Sequence, residues 1–277
     1  MNSLFLKIKY KLFGYVRFKG SEDPKIIRDK ISNDIKDESK FIYGFNFYKN
    51  NYQFYLNDSK IISHCQILFG EDFKFSNGGT VHHSHYGVQK KGKRLIPGVH
   101  IDSDYQYYKK EKELCKFGYQ LAKIGIYLQS SEQKLNILAI PFTHLFSRLL
   151  AKLRLNKLML IFLRCSSMIF SFEALRNLFR IKIEPGDIVI FDCQLMHASD
   201  VGESDEKKYV IYSEVGNKAS MINFHFNNVL PRAALEKSDP KISQIYSRDP
   251  NRYNIQKDLY EGGIKSFDNV SRNLRMQ

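Results

Sequence analysis

Pro185-Gly186-Asp187-Ile188-Val189-Ile190-Phe191-Asp192-Cys193-Gln194-Leu195-Met196-His197 is the stretch on which the architecture turns. Pro185-Gly186 is a turn signal. The β-branched, apolar run from Ile188 to Phe191 suits a buried strand. His197 then falls at the far end of that strand or in the next turn, with Cys193 inside the strand as a small apolar filler.

About a hundred residues upstream the chain reads Gly98-Val99-His100-Ile101-Asp102. A His followed two positions later by an acidic residue means little alone, because chance supplies roughly one such triplet in a chain of this composition. Context gives it meaning. In a strand, positions i and i+2 face the same way, so His100 and Asp102 can reach one ion together. Adding His197 gives two imidazoles and one carboxylate, the facial set that binds non-haem iron(II) and leaves coordination positions open for co-substrate and oxygen. A strand that presents a His after a Pro-Gly-Asp turn is how a double-stranded β-helix offers its last metal ligand. The expected class is therefore mainly β with flanking helices (α+β), built on a double-stranded β-helix of the jelly-roll, cupin-like kind. The competing reading is that His100 and His197 are ordinary surface or satisfied core histidines.

Four pieces in order carry a family likeness: His100-Ile101-Asp102, Pro141-Phe142-Thr143-His144, Pro185-Gly186-Asp187 with its strand, and His197 with a cation eleven residues later. From about Pro97 to Tyr212 the sequence resembles the phytanoyl-CoA dioxygenase branch of the iron(II)/2-oxoglutarate-dependent oxygenases. The resemblance implies that His100, Asp102 and His197 ligate iron and that the cation, here Lys208, binds the distal carboxylate of 2-oxoglutarate. The family usually carries Arg there. Arg grips a carboxylate with a planar fork, and Lys offers a point charge. Lys207 is the fallback if the strand register shifts by one. The family's Gly-Ser-His becomes Phe142-Thr143-His144, with His144 expected to cap or orient a loop. The resemblance further implies O2 as co-substrate and hydroxylation of an unactivated C–H bond, with release of succinate and CO2.

Other candidates are weaker. His82, His83 and His85 lie close together, but the flanking glycines Gly78 and Gly79 point to a polar loop, and Tyr86 or one of these histidines is a candidate pocket residue. Gln120 to Gln129 reads as a central strand, on which Lys123 is either a solvated charge or a contact for 2-oxoglutarate or an anionic substrate. The four cysteines, Cys65, Cys115, Cys165 and Cys193, are far apart and fit reduced thiols in a cytoplasmic protein, not a zinc site or disulfide framework.

With 277 residues and 43% hydrophobic content, the chain can build one barrel domain. We expect a single domain 1–277: a flanking segment 1–60 with a charged helix from Pro24 to Ile35 and strand-and-turn structure from Phe41 to Leu56, a barrel core 61–232, and a polar tail 233–277. The core holds a basic helical insert 145–180, whose only acidic residue is Glu173. That insert is expected to pack on the barrel's outer face. Peripheral membrane contact through 145–165 is the alternative. Lysines interrupt the apolar N-terminus, so it does not read as a signal peptide. The formal net charge of +14 favours an anionic partner.

These readings converge on an iron(II)/2-oxoglutarate-dependent hydroxylase acting on a small or lipid-like, anionic substrate. The alternatives are a catalytically silent barrel that binds a sugar, lipid or nucleotide, and charge-driven nucleic-acid binding. The last has no motif behind it, so no specific nucleic acid is expected.

Overall fold

The computed structural model describes residues 3–34, 41–43, 52–84, 99–102, 121–130, 136–153, 155–200, 208–217 and 220. The elements run α1 (Ser3–Phe13), β1 (Tyr15–Lys19), α2 (Pro24–Asp34), β2 (Phe41–Tyr43), a short 3-10 helix (Tyr52–Asn57), α3 (Ser59–Phe69) and β3 (Lys74–Ser84). Then come β4 (Leu121–Tyr127), β5 (Asn136–Ala139), α4 (Thr143–Lys152), α5 (Asn156–Ile169), α6 (Glu173–Leu178), β6 (Arg180–Ile181), β7 (Asp187–Asp192), β8 (His197–Asp200) and β9 (Lys208–Gly216).

Two antiparallel sheets result. The larger has the order β1-β7-β4-β9-β3-β2 and the smaller β6-β5-β8. A bridge between His100 and His197 adds the segment around His100 beside β8. From β3 onward the chain alternates between the sheets: β3, the His100 segment, β4, β5 and β6, β7, β8, β9. This is the double-stranded β-helix expected from the sequence.

Burial explains why the strands read as they do. β7 is buried along its whole length because both faces are covered. Its outer side chains, Ile188 and Ile190, join Ile124, Ile126, Ile211 and Val215 in a core closed by Leu6 of α1, Ile27 and Ile31 of α2, and Ile61 and Cys65 of α3. Its inner side chains, Val189 and Phe191, meet Tyr127, Val210, Ile137 and Ala139 between the sheets. The smaller sheet has its own outer cover, in which Val99, Leu138, Met196 and Ala198 pack on Leu150, Met159 and Phe170 of the helical insert. Gly186 sits at φ 78° and turns the chain into β7, a conformation that glycine alone adopts without strain.

Several sequence expectations need correction. His82 and His83 lie in β3, opposite Val210 and Tyr209 of β9, and not in a polar loop. The glycine pair is absorbed by a register shift between Phe75 and Gly79, so pairing with β9 overrides the local signal. Cys193 lies in the turn after β7, because Asp192 ends that strand and His197 opens a new one in the other sheet. The strand expected from Gln120 to Gln129 is β4, Leu121–Tyr127. His85, Tyr86, Lys207 and the tail 233–277 lie outside the described residues.

Candidate metal centre

The turn between β7 and β8 is pinned by a run of hydrogen bonds. Cys193 N–H donates to Leu121 O at 3.0 Å, and Leu195 N–H to Asp192 O at 2.9 Å. The Asp192 carboxylate accepts from Gln194 N–H at 2.9 Å, and Thr143 Oγ1 accepts from Met196 N–H at 3.0 Å. Arg148 of α4 pairs with Asp192 from the other side. Every amide of the turn is occupied, so His197 emerges at a fixed point.

There it meets the His100 segment. The two residues form an antiparallel bridge, and their rings lie 4.4 Å apart between centroids. Asp102, two residues beyond His100, turns to the same side. His100 Nε2 is 3.8 Å from Asp102 Oδ1, and His197 Nε2 is 3.5 Å from Asp102 Oδ2. One ligand atom from each of the three lies within 4.8 Å of the others. Two donors about 2.1 Å from one ion and at right angles to each other would be roughly 3 Å apart, so the spacing is close to that of a bound set.

Protonation supports the same reading. His197 Nδ1 lies 2.9 Å from the Leu195 carbonyl, which can only accept, so Nδ1 carries the proton. Nε2 then presents a lone pair toward Asp102. Burial pushes the His197 imidazole down to about 4, against the pull of Asp102, so the ring is neutral near pH 7. Asp102 Oδ2 is buried and has no hydrogen-bond partner. A lone pair thus faces a carboxylate oxygen with no proton between them, and a cation would resolve that arrangement. A carbonyl holding the far nitrogen of a metal-binding imidazole is the usual orienting contact. The residues therefore fit a divalent metal.

Lys123 is drawn into this centre. It faces the barrel interior with its side chain 22% exposed, and Nζ donates to Asp102 Oδ1 at 3.0 Å. Burial would raise the Asp102 carboxyl, but Lys123 and both imidazoles outweigh it and hold it well below the usual carboxylate range. Burial would lower the Lys123 ammonium, but Asp102 and then Glu214 outweigh it and raise it. Lys123 is thus not a solvated strand charge.

Lys208 opens β9 opposite Ser84. Its register position is in phase with Val210, Tyr212 and Glu214, and Glu214 is the residue that faces Lys123 across β4 and β9. Six positions of strand separate Lys208 from that level, roughly 20 Å of backbone. The two lysines therefore stand at opposite ends of one inner face. Between them lie Tyr127 and Tyr212, whose hydroxyls are 3.4 Å apart. The sequence reading did not single these out, although both share the two-residue phase of Lys123 and Lys208. Gly125 makes room for them: a Cβ there would lie 2.8 Å from Tyr127 and 3.0 Å from Tyr212.

His144 is not part of the cluster. It lies buried in α4, and its Nε2 is 3.0 Å from the carbonyl of Lys11, so it ties α4 to α1. The three described cysteines, Cys65, Cys165 and Cys193, are free thiols.

No family model matches the chain, and no curated protein is detectably similar in sequence. Solved structures are similar in fold. EctD from S. alaskensis, crystallised with 2-oxoglutarate and 5-hydroxyectoine, superposes with a TM-score of 0.53 at 12% identity, over 79% of this chain and 77% of that one. EctD with bound Fe gives 0.50 at 12% identity, over 79% and 78%. The non-heme alpha ketoglutarate dependent epimerase SnoN from nogalamycin biosynthesis gives 0.50 at 10% identity, over 78% and 83%. At such identities the likeness is one of fold.

Proposed function

We propose that this chain is an iron(II)- and 2-oxoglutarate-dependent oxygenase, akin to the phytanoyl-CoA dioxygenase branch, that hydroxylates a C–H bond of a small or lipid-like, anionic substrate. One observation carries the reading. His100, Asp102 and His197 converge from two neighbouring segments, and a buried carboxylate oxygen faces an imidazole lone pair. The fold shared with EctD and SnoN supports it, since those proteins are named with 2-oxoglutarate or alpha ketoglutarate.

His100, Asp102 and His197 would hold the iron. Bound iron(II) with 2-oxoglutarate and O2 supplies oxidative decarboxylation to succinate and CO2 together with oxygen transfer to carbon. The chain supplies position and shelter. The Leu195 carbonyl fixes the His197 tautomer. Lys123 grips Oδ1 of Asp102 and leaves Oδ2 for the metal. Lys208 is the anchor for the distal carboxylate of 2-oxoglutarate, and Lys123 adds positive potential at the opposite end of the same face. Tyr127, Tyr212, Val189 and Phe191 line the interior between the sheets and keep water from it.

The test is an anaerobic titration of the protein with iron(II) and 2-oxoglutarate, watching for the weak visible charge-transfer band of the chelate. The band should form with the wild-type protein and vanish in Asp102→Ala. A folded protein that gives no band would favour a second reading, the catalytically silent barrel. The Lys123–Asp102 ion pair is the observation in that reading's favour, because an ammonium already neutralises the carboxylate without any metal.

A further inference from the structure

We propose that α1 and the helical insert α4–α5 form one face that docks on an anionic lipid surface. Among the described residues, every exposed large apolar side chain except Ile26 belongs to α1 or to the segment Phe142–Leu178. The distribution is ordered. On α1, Leu4, Ile8 and Leu12 recur at four-residue spacing and are 63%, 46% and 43% exposed, while Leu6 on the other side is buried. On α4, Leu145 and Leu149, with Leu153 one residue past its end, repeat the spacing at 46%, 51% and 56%, while Leu150 is buried. Residues four apart share one side of a helix, so each helix carries an outward apolar stripe.

The two stripes meet. Phe13 at the end of α1 and Phe142 just before α4 are in ring contact, 6.2 Å between centroids. The His144 bond to Lys11 O fixes the same junction from beneath. Phe142 has φ 66°, a left-handed conformation that is unfavourable for a bulky side chain, and the residue is 53% exposed. Packing among the described residues does not account for these stripes. The insert already has an inner face that covers Val99, Leu138, Met196 and Ala198. Its outer face is a second apolar surface, and contiguous apolar patches left in water mark interaction sites.

Charge selects the occupant. Between residues 1 and 21 the chain carries Lys7, Lys9, Lys11, Arg17 and Lys19 and no acidic residue, and between 133 and 183 its only acidic residue is Glu173. Arg148 pairs with Asp192, Arg176 and Arg180 with Asp200, and Arg17 and Lys19 with Asp187, so those five serve the fold. Among the described residues of the insert, Lys152, Lys157 and Arg164 remain exposed, and α1 adds Lys7, Lys9 and Lys11. A second copy would set one cationic face against another, which is unfavourable. An anionic bilayer satisfies apolar stripe and cations together. No described helix is long and apolar enough to cross a membrane, so the contact is peripheral.

The surface also connects to the barrel. Ser167 of α5 accepts from Val99 N–H at 3.2 Å, one residue before His100. The helix that would lie against lipid thus braces the metal segment. The docking does not depend on the iron reading.

The experiment is flotation of the full chain with phosphatidylcholine vesicles, with and without phosphatidylglycerol. The wild-type protein should float with the phosphatidylglycerol vesicles alone and dissociate at high salt. Binding should fall at least about tenfold in Leu145→Gln/Leu149→Gln/Leu153→Gln, whose three positions are half-exposed. Phe142→Gly should also weaken binding while raising thermal stability, since glycine relieves the backbone strain. The proposal is overturned if the folded protein ignores phosphatidylglycerol vesicles, binds both kinds equally, or is a dimer that the triple substitution dissociates.

Discussion

His100 and His197 exchange both of their backbone hydrogen bonds: His100 N–H donates to His197 O at 2.9 Å, and His197 N–H to His100 O at 3.0 Å. Residues so paired stand directly opposite each other, with Cβ atoms about 5 Å apart, and their rings converge without any loop rearrangement. Two candidate ligands from distant parts of the sequence are thereby set by the backbone itself. The support continues behind the sheet, through the Val99 bond to Ser167 Oγ.

Ser167→Ala should therefore weaken metal binding without touching a ligand. Losing one such hydrogen bond costs about 1 kcal/mol, or roughly a fivefold weaker iron(II) affinity if the whole loss falls on the metal-competent position of His100. Calorimetric titration with iron(II) under nitrogen reads it directly. An unchanged affinity would mean that the β8 bridge alone holds the segment.

Lys123→Met should expose the cost of Asp102. Removing one partner of a largely buried ion pair typically costs about 3 kcal/mol, because the other charge is left uncompensated. The metal-free variant should therefore melt several degrees below wild type. Added iron(II) should raise its melting temperature more than that of wild type, since the ion then supplies the missing positive charge. Equal metal-induced shifts in the two proteins would show that Lys123 does not act on the ligand carboxylate.

The strand Ile188–Phe191, its Pro-Gly turn and the helix from Pro24 were legible because their signals are local: β-branched run, turn residues and amphipathic spacing. His100, Asp102 and His197 were legible as residue types in a resembling order. The Lys123–Asp102 pair was not, because nothing local in the sequence says that β4 lies across the barrel from the His100 segment. His82 and His83 were misread for the same reason, since their strand exists through pairing with β9 despite two adjacent glycines. Cys193 was placed in the strand because an apolar run does not mark where the chain changes sheet.

Stability should fall in mild acid through His144. Burial lowers the pKa of this imidazole, with Nδ1 buried and lacking a partner. The unfolded chain takes up a proton near pH 6.5, and the folded chain resists it to lower pH. The contribution is therefore complete above about pH 6.5 and is lost as pH falls below that toward the folded value. His144→Gln should show a flatter stability profile between about pH 7 and 5 by urea denaturation. Parallel profiles would place the acid sensitivity on another group.

Gly125→Ala should be costly for one methyl group. The added carbon would lie 2.8 Å from Tyr127 Cε2 and 3.0 Å from Tyr212 Cε1. Overpacking of this kind costs about 1–3 kcal/mol. Because the clash is with Tyr127, the double variant Gly125→Ala/Tyr127→Leu should lose less than the sum of the two single changes. Strict additivity in the denaturation midpoints would mean that the strand, not the ring, gives way.

The two lysines of the inner face should separate in their kinetic effects. Lys208→Ala removes the proposed anchor of a co-substrate carboxylate, so the KM for 2-oxoglutarate should rise roughly tenfold or more with a smaller change in kcat, and Lys208→Arg should restore binding through its planar fork. Lys123→Ala perturbs Asp102, so iron(II) affinity should suffer first, with the 2-oxoglutarate requirement following only as metal is lost. The register places Lys208 six positions along β9 from the level of Lys123, so the outcome decides which end of the barrel receives the distal carboxylate. If Lys123→Ala raises the KM at saturating iron and Lys208→Ala leaves it unchanged, the anchor lies on β4, and the co-substrate sits nearer the metal end of the face than the resemblance implies.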